Sequence, residues 1–215
     1  MISRKHKFLF IHPAKTGGNS IEVALAPYAD GHLSRYGGGF DPENVVVNYL
    51  GRDVKHAKLD FYCQHIREQL LDFYVFATTR NPWDRMVSAW SYYNKAYAKR
   101  PFNDWILFVS DLLDMEDPGA PRKYLRKVMD PVMAFMETTP GANAPPIHFI
   151  EFDSLQKDFD KVCQDIGIPR IELPHTLKTK HKHYSTYYNE EQRDLVAKAF
   201  AQDIKRFDYR FEEAK

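Results

Sequence analysis

Only two cysteines, Cys63 and Cys163, occur in the 215 residues, and they form no Cys-x-x-Cys pair. Their scarcity and spacing argue against a disulfide framework and a cysteine-based structural zinc site, and predict two reduced thiols in a reducing compartment. A surplus of one charge is also missing. The formal net charge is +1, so the strong positive field of a protein that wraps nucleic acid is not expected, and an anionic ligand would have to be held by local basic clusters. No run of apolar residues approaches a membrane span, and Phe8-Leu9-Phe10-Ile11 is too short for a signal-peptide core before His12-Pro13 ends it. These absences predict a soluble cytoplasmic protein with no nucleic-acid partner. Internal repeats and low-complexity segments are lacking too.

What is present is enough apolar sequence, 44% of the chain, to bury a large core. Length predicts one domain over residues 1–215. Lys7–His12 and Phe73–Thr78 are short, continuously apolar runs that read as fully buried strands, and Ile147–Phe152 reads as a third. A weaker strand signal covers Val45–Leu50. A helix starts at Asn19 or Ser20, another covers Arg67–Leu71, and Leu155–Ile166 ends at Gly167, a suitable C′ residue. The best-marked helix has Asn81 as N-cap, Pro82 at its first position and Asp84 in its first turn. Trp83, Val87 and Trp90 form its apolar stripe, with Arg85, Ser88 and Tyr92 opposite. Loops are expected over Tyr28–Gly39, Asp111–Pro121, Thr138–Pro146 and Pro174–Ser185. Asn189 caps the last helix, with Gln192 placed for a capping box. Buried strands followed by helices predict an α/β fold: a P-loop NTPase-like three-layer arrangement with a central parallel sheet flanked by helices.

The first chemical signal is Phe8 to Ser20, a strand feeding a tight loop that feeds a helix. Helix N-termini carry N–H groups and partial positive charge, and so bind phosphate-like anions. Gly17 and Gly18 permit close backbone approach. Lys15 adds a full charge, and Thr16, Asn19 and Ser20 add donors. The order differs from the Walker loop, in which a glycine comes directly before the lysine. Here Lys15 precedes Gly17-Gly18, which disfavours a nucleoside triphosphate site.

The second signal is Arg80, at the end of a buried strand and just before a capped helix. Ligands of open α/β sheets bind outside the carboxyl ends of strands, and both Lys15 and Arg80 follow such ends. The guanidinium fork of Arg80 suits a phosphate. Ser88, two turns along the helix, can donate to the same group, and Arg85 shares that side.

Together the two segments resemble the motifs of the sulfotransferase superfamily that bind 3′-phosphoadenosine 5′-phosphosulfate (PAPS). Pro13-Ala14-Lys15-Thr16-Gly17-Gly18-Asn19-Ser20 resembles the 5′-phosphosulfate loop, PKTGG followed by Ser or Thr. An extra alanine follows the proline, and Asn19 stands where Thr is common. Arg80, Asn81, Pro82, Arg85, Ser88 and Tyr92 match every fixed position of the 3′-phosphate motif RNPxxRxxSxxxY. The carbohydrate sulfotransferase branch, in its small bacterial form, is closest in character. Lys55-His56-Ala57, the Phe149–Gly167 strand-helix unit and the segment His181–Phe211 extend the resemblance over most of the chain. It is weak from Lys95 to Ala144, which is expected to be an insertion that shapes the acceptor pocket, with Tyr97, Arg100, Trp105, Tyr124 and Arg126 as candidate lining residues.

The resemblance implies in-line displacement at sulfur by an acceptor hydroxyl, a saccharide by family analogy, with PAPS as co-substrate and no metal. Lys15 would stabilise the bridging oxygen, the backbone of Thr16–Ser20 the phosphosulfate, and Arg80 and Ser88 the 3′-phosphate. Thr179, Lys180 and Lys182 of the basic loop would close over the nucleotide. Among nine histidines, His56 is the first choice as general base. His12 is the second, and a carboxylate such as Glu22 or Asp60 stays open. His181 and His183 have a spacing that suits a metal chelate, without a nearby carboxylate or cysteine to complete it. Two competing readings are a P-loop-type kinase, which shares the sheet and anion loop, and a non-catalytic anion-binding module.

Overall fold

The computed structural model describes residues 1–32, 47–48, 55–97, 99–112, 115, 122–174 and 181–214. In chain order the first half contains β1 (Ile2–Ser3), β2 (Phe8–Ile11), α1 (Gly18–Leu25), β3 (Gly31–His32), β4 (Val47–Asn48), α2 (Leu59–Leu70), β5 (Tyr74–Thr79) and α3 (Pro82–Tyr97). There follow α4 (Phe102–Asp111), α5 (Arg122–Val128), α6 (Val132–Met136), β6 (Ile147–Glu151), α7 (Leu155–Asp165), α8 (Glu190–Ala199) and α9 (Ala201–Phe207). The chain divides into two compact units, Met1–Thr79 with Ala134–Lys178, and Arg80–Met133 with Thr179–Lys215.

The first unit holds the main sheet, in the order β1-β2-β5-β6. The β2–β5 and β5–β6 pairs are parallel, with Ile11 opposite Ala77 and Ala77 opposite Phe149, while β1 adds an antiparallel edge. Every residue of β2 is buried, as a parallel strand covered on both faces requires. Phe8, Phe10 and Phe76 pack with Ile21 and Leu25 of α1 and with Phe159 and Val162 of α7. The expected central parallel sheet with flanking helices is therefore present. The Val45–Leu50 signal reduces, among the described residues, to the two-residue β4, paired antiparallel with β3. The helix expected at Arg67–Leu71 begins earlier, at Leu59.

The second unit is helical, and α3 runs through its middle. Trp83, Met86 and Val87 pack with Phe102, Trp105 and Ile106 of α4 and with Val196 and Phe200. Arg85, Ser88 and Tyr92 were expected opposite the apolar stripe; Arg85 and Ser88 are buried there as well, while Tyr92 is half-buried. Arg85 donates from Nη1 to the Asp130 carbonyl at 2.9 Å, and its guanidinium lies 5.4 Å from the centre of the Phe200 ring. Burial pushes its pKa down to about 10 although Asp203 and Asp130 favour the cation. Asp203 in turn accepts from the Val132 and Met133 N–H groups at 2.7 and 2.9 Å, capping α6.

Several local signals act as their chemistry predicts. Gly167 takes φ +70° just beyond α7. Asn81 Oδ1 accepts from Trp83 N at 3.1 Å. Asn189 and Gln192 form a reciprocal capping box, and the final helical stretch then breaks at Phe200 into α8 and α9. Replacing Asn189→Ala should cost about 1 kcal/mol of unfolding free energy, whereas Asn189→Ser should retain most of it; urea titrations of both variants measure the difference.

Candidate active site

The loop after β2 is pinned residue by residue within the first unit. Lys15 adopts the left-handed conformation at φ 65°. The Thr16 hydroxyl donates to the Pro13 carbonyl at 2.7 Å and meets the Thr78 hydroxyl of β5 at 2.5 Å. That hydroxyl therefore shapes the loop by tying it to itself and to β5. Gly17 sits at φ +90°, where a Cβ would come 2.9 Å from the Phe152 ring. A Cβ on Gly18 would come 2.3 Å from the His12 imidazole, so the second glycine exists to seat that ring. No side chain caps α1, and the helix N-terminus keeps the character of an anion site.

Below the loop lies a charged cluster. His12 Nδ1 donates to Glu22 Oε1 at 2.9 Å, and Lys55 Nζ lies 3.0 Å from Glu22 Oε2 and donates to Asn19 Oδ1 at 2.8 Å. Glu22 is 1% exposed and His12 is 3% exposed. Burial alone would raise the Glu22 carboxyl, but the His12 ring and the Lys55 ammonium outweigh it and hold the group well below the usual carboxylate range. Both carboxylate oxygens are thus engaged, Oε1 by His12 and Oε2 by Lys55. His12, also buried and committed to Glu22, is not exposed to a substrate.

His56 is placed differently. Its Nδ1 lies 2.7 Å from the His12 carbonyl oxygen, which can only accept, so Nδ1 carries the proton and Nε2 is the acceptor nitrogen. Burial pushes its pKa down to about 3; the neighbouring His12 ring adds to this, while the His12 carbonyl and Glu22 partly offset it. Lys55 is likewise lowered by burial, with Glu22 opposing. Asp60 is occupied elsewhere, accepting from the Thr139 N–H and hydroxyl at 2.7 and 2.8 Å.

In the second unit Arg80 follows the end of β5. Its Nε and Nη2 both reach Asp84 Oδ2, at 2.7 and 2.6 Å, one helical turn along α3. Ser88 is buried further along the same helix. Of the basic loop, Lys182 is described: its side chain is exposed and its N–H donates to Tyr187 Oη at 3.0 Å. Thr179 and Lys180 lie outside the described residues. His181 bonds the Lys182 carbonyl, and His183 bonds the Ser185 hydroxyl. Among the candidate lining residues, Trp105 is core, Arg100 stacks at 4.6 Å on Phe108, and Arg126 donates to the Met115 carbonyl. The side chains of Tyr97 and Tyr124 lie outside the described residues.

A sulfotransferase family model matches residues 1–210. The chain belongs to the sulfotransferase family. Solved structures similar to it include a sulfotransferase from Alicyclobacillus acidocaldarius, at 17% identity, TM-score 0.54 and 94% coverage of both chains, and mouse sulfotransferase SULT7A1 complexed with PAP, at 13% identity and TM-score 0.54. In the mouse comparison 96% of this chain and 87% of the other are covered. No curated protein matches the chain significantly. These likenesses support the P-loop-like fold. No described helix of this sulfotransferase is long and apolar enough to cross a membrane.

Sequence reasoning did not single out Lys55 as the partner of Asn19 and Glu22, or Asp84 as the partner of Arg80. Spacing carried part of the signal. Asn19 and Glu22 are i,i+3 on one helix face, so a cation that reaches one reaches the other, and Arg80 and Asp84 are i,i+4.

The cluster makes the sulfotransferase sensitive to acid. Below the ordinary imidazole value of 6.5 the unfolded chain protonates at His56, while the folded ring does so only near 3. The unfolded state therefore binds more protons, and stability that is complete above pH 6.5 drains away as pH falls toward 3. His12 shifts in the same direction. Denaturant unfolding followed from pH 7.5 to 4.5 should show this decline, with a shallower slope in His56→Asn.

Proposed function

We propose that this sulfotransferase moves a sulfuryl group from PAPS to a hydroxyl of a saccharide. The observation that carries this reading is the uncapped N-terminus of α1 behind Lys15 and the two glycines, at the carboxyl end of a strand whose parallel neighbour, β5, runs directly into Arg80. In the proposed reaction the acceptor oxygen forms its bond to sulfur as the bond from sulfur to the 5′-phosphate oxygen breaks. The acceptor proton passes to His56 Nε2, and adenosine 3′,5′-bisphosphate (PAP) departs. Lys15 and the Thr16–Ser20 backbone stabilise charge on the leaving phosphate, as preorganised donors do in related group transfers. Arg80 and Ser88 hold the 3′-phosphate, with Asp84 keeping the guanidinium in place. Thr179, Lys180 and Lys182 close over the nucleotide, and residues 95–144 shape the acceptor pocket. The cationic side chains carry the charge without a metal. Two buried cysteines outside any disulfide fit a cytoplasmic setting.

The low basicity of His56 is compatible with its role because the donor changes it. A polyanion seated on the loop favours the imidazolium and raises the pKa of the ring. The acid limb of kcat, which reports the complex, should therefore fall at higher pH than that of kcat/KM, which reports the free protein. Parallel pH profiles test this, and coincident limbs would remove His56 as the base.

Calorimetry tests the donor site. PAP should bind and stabilise the protein, while ATP with magnesium should not; the reverse result favours a kinase. Arg80→Ala should weaken PAP about 10–100-fold, and Ser88→Ala by about 10-fold or less. Neither change should alter the affinity for adenosine 5′-phosphate, which lacks the 3′-phosphate. Lys15→Ala should lower PAPS turnover on the order of 10²-fold. Binding of PAP without transfer to any hydroxyl would leave an anion-binding module.

A further inference from the structure

Glu22 is fully enclosed, and the groups around it belong to the segments on which the proposed chemistry depends. Oε1 takes the His12 N–H, and Oε2 takes the Lys55 ammonium. Lys55 also donates to Asn19, the loop residue that departs from the usual Thr of the motif. An amide oxygen reaches further from the helix than a hydroxyl and gives the ammonium a second acceptor there. Lys55 is bonded in sequence to His56, and His56 is held through the main-chain carbonyl of His12. The His12 and His56 rings meet edge to face with centroids 4.7 Å apart. The same carboxylate thus fixes the ring that seats Gly18 and the lysine that precedes the base.

We propose that Glu22 is a positioning residue whose carboxylate, clamped between the His12 ring and the Lys55 ammonium, holds the Lys55-His56 segment against the Asn19 end of the phosphosulfate loop. His56 Nε2 and the seated sulfuryl group then keep one separation through the reaction. This rests on the sulfuryl-transfer reading given above. A glutamine at position 22 has the same shape and still accepts from His12. It turns an N–H₂ toward Lys55, donor against donor, so the link from α1 to the base-bearing segment is lost while the loop itself is kept.

The test compares Glu22→Gln with wild type in PAPS turnover, using a panel of hydroxyl acceptors that includes amino sugars, phenols and water. The expected result is a fall in kcat on the order of 10–100-fold, as small misplacements of reacting groups produce, with PAP affinity unchanged by calorimetry. In a His56→Ala background the same substitution should cost nothing further, since the group it positions is gone. Nitrogen-15 NMR of His56 gives a readout independent of turnover. Wild type should show one tautomer with the proton on Nδ1, and Glu22→Gln should show exchange between two. Unchanged kcat, full additivity with His56→Ala, or an unchanged tautomer signature each overturns the proposal. If Glu22→Gln does not fold, the pair Glu22→Gln with Lys55→Gln leaves no buried charge unmatched and should fold with the same loss in kcat; wild-type turnover in that double variant also overturns it. Failure of wild type to turn over PAPS with any acceptor defeats the sulfuryl-transfer reading instead, and the tautomer comparison still decides whether Glu22 acts as a clamp.

Discussion

A carboxylate removed from water stays ionised only where cations and N–H donors replace the solvent it has lost. Glu22 meets that condition with His12 on one oxygen and Lys55 on the other, and the requirement organises its surroundings. His12 must turn its ring toward α1, which places that ring on the Cα of residue 18 and admits only glycine there. Lys55 must reach α1 from a distant part of the sequence, and it brings His56 with it. The pair is thus better understood as a geometric constraint than as a source of stability. Buried ion pairs seldom repay their desolvation in full, but they cannot slide, because any shift leaves a charge uncompensated.

The second unit handles its cations in two ways, each set by surroundings. Arg80 is oriented by Asp84 through two nitrogens, a short i,i+4 contact that restricts the rotation of the guanidinium. Arg85, four residues before α3 residue Ala89, has no comparable exposure. Its charge is met by a main-chain carbonyl, by the face of Phe200 and by the field of Asp203. Asp203 spends its own oxygens on the first N–H groups of α6. Two arginines of one motif are therefore held differently: Arg80 by a carboxylate one turn away, and Arg85 by contacts that join α3 to the segments around it.

These distinctions set the limit on what the sequence could reveal. Buried strands announced themselves as unbroken apolar runs, and caps at Asn81, Asn189 and Gly167 followed from residue chemistry that acts over three or four positions. The loop after β2 was legible because the motif that marks it is a run of consecutive residues. The Glu22–Lys55 link was not, because it joins residues brought together by the fold, as Lys55 and Asn19 are at a separation of 36 positions. The burial of Arg85 was hidden for a related reason. Helical periodicity assigns faces to one helix alone, and α3 is covered by α4, α8 and the Phe200 region, which lie elsewhere in the chain.

The loop between β2 and α1 gathers these constraints into one functional property. Four consecutive residues at its end meet different parts of the fold: Thr16 bonds Thr78 of β5, Gly17 leaves no room for a Cβ beside the Phe152 ring, Gly18 leaves none beside the His12 ring, and Asn19 accepts from Lys55. A loop so held would not have to rearrange if, as proposed, a charged group developed in front of it. For donors that stabilise a leaving anion this matters more than their number, because reorganisation at the moment of bond breaking subtracts directly from the stabilisation they give. The left-handed backbone at Lys15 belongs to the same economy. It carries a small conformational penalty for a residue with a side chain, which the surrounding contacts sustain, and it turns the chain so that the peptide groups following the lysine enter the helix N-terminus.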